Sequence, residues 1–340
     1  MTDTQLGILL GLGVPVAQSL SYFCSRHVMQ QKGRSAITLF AVSHVMMAVA
    51  GAAVVLFMPT DGRPPLRDFI GPLLLCEGAY VVGQLMMFDS VRRAESSVVV
   101  PFLGVKVFIV ALLSTWILHR DLTMTFWIAV VLCMVSVIVL SPMSFARLWA
   151  ALTERKRAGA QPGSDDTRNE AEAAAQARHR ADRSLVIALA LILGACVGYA
   201  FSDIGIKMLN NALAPMGFRG IVFGAACAYA LGGVPAGLIA LANRRQITGR
   251  MWIEAVPYTV FWIAAVVMLF ICIDLADPVT ANILQSIRGI LIVVLGWGVA
   301  KLGWEHVEGQ APRSVWVRRL IGASVLLVAV VMAVWEKVRS

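Results

Sequence analysis

The sequence predicts an all-α integral membrane protein with ten transmembrane helices, arranged as two inverted five-helix repeats. Of the 340 residues, 59% are hydrophobic and only 14% are charged, whereas roughly a quarter of the residues of a soluble protein are charged. Apolar runs of about twenty residues, the length that crosses a bilayer as a helix, recur along the chain. One long polar stretch divides these runs into five and five, and an odd number of spans per half makes the repeats inverted.

Each apolar run is predicted to be helical, because backbone groups in lipid find no water to bond. Short loops join the runs within each set of five, so neighbouring helices are expected to be antiparallel. The first repeat is predicted over residues 1–142 and the second over residues 184–340. The predicted spans are 5–25, 36–57, 69–90, 96–118, 124–142, 184–206, 219–242, 254–273, 279–302 and 317–335.

The polar stretch at residues 143–183 is predicted to be a linker between the halves. Its "QPGSDD" segment is typical of a flexible tether, and its "NEAEAAAQARHR" segment could form a helix. Twenty basic residues lie on the linker side of the predicted spans and seven on the other side. The positive-inside rule therefore predicts a cytoplasmic linker and outward termini in the inner (plasma) membrane. The same loop charges account for the net charge of +9, so nucleic-acid binding is not expected.

Lys106 lies inside the apolar stretch "SSVVVPFLGVKVFIVALLSTWIL". A charge at mid-bilayer costs about 2.5–3.5 kcal/mol on insertion scales, so it needs a partner or a watery cavity. A constant offset of 182 residues aligns Ala94–Leu122 with Ala276–Trp304 and places Lys106 on Arg288. Two cations at matching depth predict a bound anion between the halves. The alternative is an ion pair of either cation with Glu77 that only holds helices together.

Polar side chains recur at helical spacing near these cations. Four helices carry such stripes, and together they predict a polar cavity, although any one stripe could be a helix–helix contact. Asp203 is expected to lie less deep than Glu77, Lys106 and Arg288. It could instead pair with Lys207, four residues later, near the membrane edge. The predicted substrate-binding residues are Lys106, Arg288, Glu77, Tyr80, Gln84, Asn282, Gln285, Tyr199 and Asp203.

The sequence contains no pattern that predicts an enzyme. A phosphate-binding GxxxxGK[ST] loop and an HExxH motif are both absent, and the six cysteines form no CxxC pair. We therefore expect no cofactor, no resident metal and no ATP hydrolysis.

The layout resembles the drug/metabolite transporter superfamily, and in particular its EamA-like type. The resemblance is carried by "RRAESSVVVPFLG" before "KVFIVALLSTWILHRDLT", and by "DLADPVTANILQSIRGILIVVLGWGVAKLGWE" in the second half. The triose-phosphate and nucleotide-sugar translocators of this superfamily also carry basic residues in these two helices, where they contact substrate phosphate. The resemblance thus implies a central cavity, alternating access, and phosphate contacts from Lys106 and Arg288.

The prediction from sequence is a secondary transporter or exchanger for a small phosphate- or carboxylate-bearing metabolite. Glu77 would modulate the charge of Lys106 and Arg288, or link transport to proton or substrate exchange. Two alternatives stay open at this point. One is a flippase in which the same cations hold a lipid phosphate headgroup, and the other is a non-transporting membrane subunit or sensor in which the cations pair internally.

Overall fold

The computed structural model of the chain describes residues 2–29, 34–59, 61–93, 100–140, 165–291, 294 and 313–339. Throughout these ranges the secondary structure is helix and turn without strand, which confirms the all-α class. The α-helices of the described residues are α1 (Asp3–Met29), α2 (Ala36–Phe57), α3 (Leu66–Arg93), α4 (Val105–Ile117), α5 (Met124–Leu140), α6 (Asp165–Ala212), α7 (Phe218–Ala242), α8 (Gly249–Leu275), α9 (Pro278–Ser286) and α10 (Arg313–Arg339).

Seven of these helices contain a segment long and apolar enough to cross a membrane. They are α1, α2, α3, α6, α7, α8 and α10. The apolar parts of α4 and α5 are shorter, and the later part of the predicted ninth span, beyond residue 294, lies outside the described residues. Each helix overlaps one predicted span, while the ten-span, inverted-repeat organisation itself stays a prediction.

In the fourth predicted span of each half, the backbone forms 3₁₀-type hydrogen bonds next to the cation. In the first half, Val100–Gly104 forms a 3₁₀ helix and α4 begins directly after it, with Lys106 in its first turn. In the second half, Ile287 N bonds Leu284 O at 3.1 Å and Ile290 N bonds Ile287 O at 2.9 Å. These three-residue hydrogen bonds place Arg288 at a corresponding tightened turn, and such interruptions inside long helices often mark functional positions.

The predicted linker is partly helical. Helix α6 begins at Asp165 and continues without interruption to Ala212, so it includes the "NEAEAAAQARHR" segment. An alanine-rich polar sequence propagates an adjoining helix readily, so the helix that this segment could form is continuous with the sixth predicted span, while the division of the chain at residues 143–183 stays a prediction. Residues 143–164 of the predicted linker, which include the first four residues of "QPGSDD", lie outside the described residues.

The most extensive helix contacts join the two halves of the chain. Helix α3 packs on α6 and α1 packs on α8, while α2 packs on α7 and α5 on α10. Exchanging the halves, so that α1 takes the place of α6 and α3 that of α8, converts the first contact into the second and leaves the other two unchanged. This pairing supports the repeat prediction and puts the centre of the molecule between α1, α3, α6 and α8.

The outward surface of the helices is apolar. Leu9, Trp116, Val260 and Val331 are each more than half exposed although all lie within helices. Large exposed hydrophobic side chains occur in this way on every described α-helix except α9, which suits a lipid environment rather than water. The buried polar side chains face the interior instead, and they include Gln18, Glu77, Gln84, Asp203, Asn282 and Gln285.

Candidate functional site

A central cavity of about 790 Å³, including the part that opens to solvent, lies between the two halves. Eight of the nine predicted site residues line it: Glu77, Tyr80, Gln84, Lys106, Tyr199, Asp203, Gln285 and Arg288. Asn282 does not line the cavity, but it hydrogen-bonds Asp203, which does. The sequence prediction therefore identified residues that the fold brings together.

Close contact between α3 and α6 positions one wall of the cavity. A Cβ at Gly198 would lie 2.8 Å from the Ala79 carbonyl oxygen, and one at Gly205 would lie 2.6 Å from the Cys76 backbone nitrogen. Neither contact would leave room for a side chain, so the two glycines let the helix backbones approach closely, as small residues do in membrane interfaces. Glu77, Tyr80 and Gln84 on α3 consequently face Tyr199 and Asp203 on α6.

Lys106 has a carboxylate partner. Its Nζ lies 2.7 Å from Asp203 Oδ2 and donates to Gln285 Oε1 at 3.2 Å. Asn282 Nδ2 also donates to Asp203 Oδ2, at 2.6 Å. Lys106 and Asp203 are both largely buried, with 11% and 4% of their side chains exposed. The amide groups of Gln285 and Asn282 therefore complete a buried, hydrogen-bonded ion pair.

This arrangement corrects two expectations. Lys106 was predicted to be unpaired and to need a bound anion, but Asp203 already neutralises it. Asp203 was predicted to be less deep and a possible partner of Lys207, yet Lys207 Nζ contacts Asp274 instead, at 3.4 Å from Oδ1 and 3.0 Å from the carbonyl oxygen. Neither pairing of Glu77 with a cation occurs in the described part of the chain.

Arg288 is held by polar and aromatic groups rather than by a carboxylate. Its Nη1 donates to Gln18 Oε1 at 3.1 Å, and its Cζ lies 5.5 Å from the centre of the Tyr22 ring. Among the described residues, no carboxylate is within ion-pair distance of this guanidinium. Tyr22 in turn meets Trp262 edge-on, with ring centres 5.8 Å apart. Arg288 thus faces the cavity with donor capacity to spare, since a guanidinium carries five N–H groups.

Glu77 is buried against α7. It is 6% exposed, and its Oε1 has no hydrogen-bond partner in the part of the chain that the structure describes. Gly232 provides the space for it, because a Cβ there would lie 2.1 Å from Glu77 Oε1. A buried polar atom without a partner is costly, so native proteins usually reserve such groups for a ligand or water.

Tyrosine side chains form much of the remaining wall. Tyr199 donates to Gln84 Oε1 at 2.6 Å, and its ring centre lies 6.0 Å from that of Tyr80. The Tyr80 hydroxyl lies 3.1 Å from His44 Nε2. Tyr229 also lines the cavity, and sequence reasoning missed it because it stands alone in a run of alanines and glycines. Tyrosine is rare in this chain, and four of its five tyrosines line this cavity. The rarity of this residue type could therefore have indicated Tyr229 as a candidate.

A layer of ion pairs lies one helical turn beyond the cavity, on the side away from the linker. Lys207 and Asp274 follow the cavity-lining residues Asp203 and Phe270 by four positions each. Asp277 lies nearby in the chain, and its Oδ2 is 3.3 Å from Lys337 Nζ and 3.6 Å from Arg120 Nη1. These contacts tie the ends of α4, α6, α8 and α10 together.

Comparisons with known proteins agree with this architecture. Residues 5–141 match the EamA-like transporter family, which confirms the resemblance predicted from sequence over the first half, while the likeness to triose-phosphate translocators stays a prediction. One solved structure, described only as the crystal structure of a protein, aligns with a TM-score of 0.61 at 12% identity and covers 98% of both chains. That similarity shows a shared fold alone. No curated protein sequence matches the chain.

Proposed function

We propose that this chain, whose first half matches the EamA-like transporter family over residues 5–141, is a secondary transporter of a small metabolite that carries a phosphate or carboxylate group. The match and the apolar helices support the coarser statement that it is a multi-pass membrane transporter. The anionic substrate and the alternating-access mechanism are our proposal.

One observation carries the substrate assignment. Arg288 lies in a membrane-buried cavity without a carboxylate partner among the described residues, and it donates only one described side-chain hydrogen bond, to Gln18. Arginine binds phosphate and carboxylate in a planar, bidentate manner, and such charge-assisted bonds are strong where water is excluded. Lys106 would contribute less to anion binding than the sequence predicted, because its charge is neutralised by the ion pair with Asp203.

Alternating access would follow from the site's position between the halves. A ligand shifts a conformational equilibrium only by its differential affinity for the two states. Arg288 follows α9 in the second half of the chain and contacts Gln18 and Tyr22 of α1. An anion bound to Arg288 would therefore also lie against α1. It would therefore favour the state in which these elements are closed around it.

The test is a thermal-stability screen of the purified protein against phosphate- and carboxylate-bearing metabolites, since a ligand that binds the folded state raises its melting temperature. Hits are then assayed for uptake into proteoliposomes. Arg288→Gln is expected to abolish the stabilisation, whereas Arg245→Gln, which removes an exposed loop arginine, is expected to keep it. A stabilisation that survives Arg288→Gln in a folded protein would overturn the assignment.

A further inference from the structure

Four acidic or basic side chains line the cavity, and two of them have no ion-pair partner among the described residues. Lys106 and Arg288 are its cations, and Asp203 and Glu77 its carboxylates. One of each forms the Lys106–Asp203 ion pair at 2.7 Å. Arg288 and Glu77 remain, and neither has an ion-pair partner among the described residues, including each other. The open cavity therefore presents one guanidinium and one carboxyl group to whatever enters it.

A simple anion would satisfy only the first of these groups. With a phosphate or carboxylate on Arg288, a charged Glu77 in the same low-dielectric cavity would repel the ligand and would itself stay without a partner. A ligand that also carries a positive group would instead neutralise Glu77. The charge arrangement thus favours a ligand with two opposite charges.

Unpaired hydrogen-bonding groups divide between the same two regions. On the Arg288 side, Trp262 Nε1 is buried without a partner, and its ring contacts Tyr22 at 5.8 Å. On the Glu77 side, the Tyr229 hydroxyl is buried without a partner, one helical turn from Gly232, which seats the Glu77 carboxylate. Both statements hold for the described residues. An indole N–H can only donate, which suits an anion, while a phenol oxygen can accept from an ammonium group.

Aromatic rings strengthen the case for a positive group at Glu77. Tyr80 follows Glu77 by three residues on α3 and lines the cavity together with Tyr229. Cations are attracted to the faces of tyrosine rings, and more strongly where they are desolvated. A carboxylate bordered by tyrosine rings is suited to bind a protonated amine.

We propose that Glu77, with Tyr229, forms a second subsite that binds a protonated amine, so that the substrate is dipolar, with its acidic group on Arg288 and its basic group on Glu77. This inference rests on the proposed function for the Arg288 half of the site. It narrows the substrate class from small anions to molecules that carry both an acidic and an amino group.

The experiment compares matched probes that differ only in the amine. ω-Amino acids from β-alanine to ε-aminocaproate, which vary the separation of the two charges, are titrated beside the corresponding unsubstituted alkanoic acids. Binding to the purified full chain is followed by thermal stability and calorimetry, with a parallel arm in which sodium chloride replaces potassium chloride.

The wild-type protein is expected to bind at least one ω-amino acid about tenfold or more tightly than its matched alkanoic acid, as for a charge-assisted hydrogen bond. Glu77→Gln is expected to abolish this preference and to keep the weaker binding of the alkanoic acid. Asp68→Asn, which removes an exposed carboxylate from the same helix, is expected to change neither.

Three results would overturn the inference: no preference for any ω-amino acid, a preference that survives Glu77→Gln, or stabilisation by sodium alone that Glu77→Gln abolishes, which would assign the subsite to a metal ion. Failure of the proposed function gives a different result. In that case Arg288→Gln would leave alkanoic-acid binding unchanged, whatever Glu77→Gln does to the amine preference.

Discussion

Lys106 Nζ lies 2.7 Å from Asp203 Oδ2, and this ion pair joins the fourth helix of the first half to the first helix of the second. Both side chains are largely buried, and Gln285 and Asn282 supply further hydrogen bonds. A buried ion pair of this kind is costly to break from one side, because the remaining charge is left without a partner. We therefore interpret Lys106 as a structural cation beside the proposed substrate site.

The first prediction concerns this pair. Asp203→Asn is expected to destabilise the protein by about 3–5 kcal/mol, as the removal of one partner of a buried pair does. Adding Lys106→Met is expected to recover much of the loss, since the unpaired charge is then gone. Thermal unfolding of the four proteins of this cycle in detergent measures the coupling. Additive losses from the two substitutions would show that the ion pair has no energetic role.

The depth of Asp203 shows where the sequence was sufficient and where it was not. Helical spacing correctly placed Tyr199, Asp203, Glu77 and Gln84 toward one interior, because the period of a helix is fixed by its backbone geometry. The apolar run of the sixth span ended near Lys207, so Asp203 was placed near the membrane edge. The helix in fact continues to Ala212.

Partner choice could not be read from spacing at all. Lys207 reaches Asp274 on α8, and Asp203 reaches Lys106 on α4, although Asp203 and Lys207 are four residues apart on the same helix. These pairings depend on how the helices pack, which the sequence of one helix does not contain. For the same reason, the sequence did not predict that Gly232 makes room for the Glu77 carboxylate, the niche described above. A glycine within an apolar run does not indicate which side chain packs against it.

The second prediction tests that niche. Gly232→Ala is expected to displace the Glu77 carboxylate, because the new Cβ would lie 2.1 Å from Oε1. We expect lower thermal stability and loss of any ligand stabilisation that depends on Glu77. Gly237→Ala on the same helix is the matched control, since a Cβ there meets nothing within 4 Å.

A second background makes the Gly232 experiment specific. In a Glu77→Ala protein, where the side chain above the glycine is gone, Gly232→Ala is expected to be nearly neutral. An equal loss of stability in both backgrounds would mean that the alanine disturbs α7 itself rather than the carboxylate.

The third prediction concerns the orientation of Arg288. Gln18→Leu removes the acceptor that lies 3.1 Å from Arg288 Nη1 while keeping similar volume. Losing one hydrogen bond of this kind is expected to weaken binding of an anionic ligand by about three- to thirtyfold. Calorimetric titration of a hit from the stability screen measures it, and Gln5→Leu, which alters an exposed position near the start of the same helix, is the control. Unchanged affinity would show that Gln18 does not position the guanidinium.

The fourth prediction concerns the ion-pair layer beyond the cavity, which we expect to resist opening on that side. Cys272 is fully buried within this region, and its Sγ would lie 2.6 Å from a Cβ added at Gly11 on α1. A maleimide can therefore reach this thiol only when α1 and α8 separate. In a protein with Cys272 as its single cysteine, Asp274→Asn removes the partner of Lys207. Partly exposed pairs contribute up to about 1 kcal/mol, so labelling is expected to accelerate about two- to fivefold.

Two further variants decide whether the layer acts as a unit. Lys337→Gln removes one of the two cations near Asp277 and is expected to accelerate labelling of Cys272 as well. Asp68→Asn removes an exposed carboxylate from the first turn of α3 and is expected to leave the labelling rate unchanged. A substrate that binds the cavity and closes the opposite side would add to the effect of Asp274→Asn, because both would favour the same state. If neither Asp274→Asn nor Lys337→Gln changes the labelling rate, apolar packing rather than charge keeps this side closed.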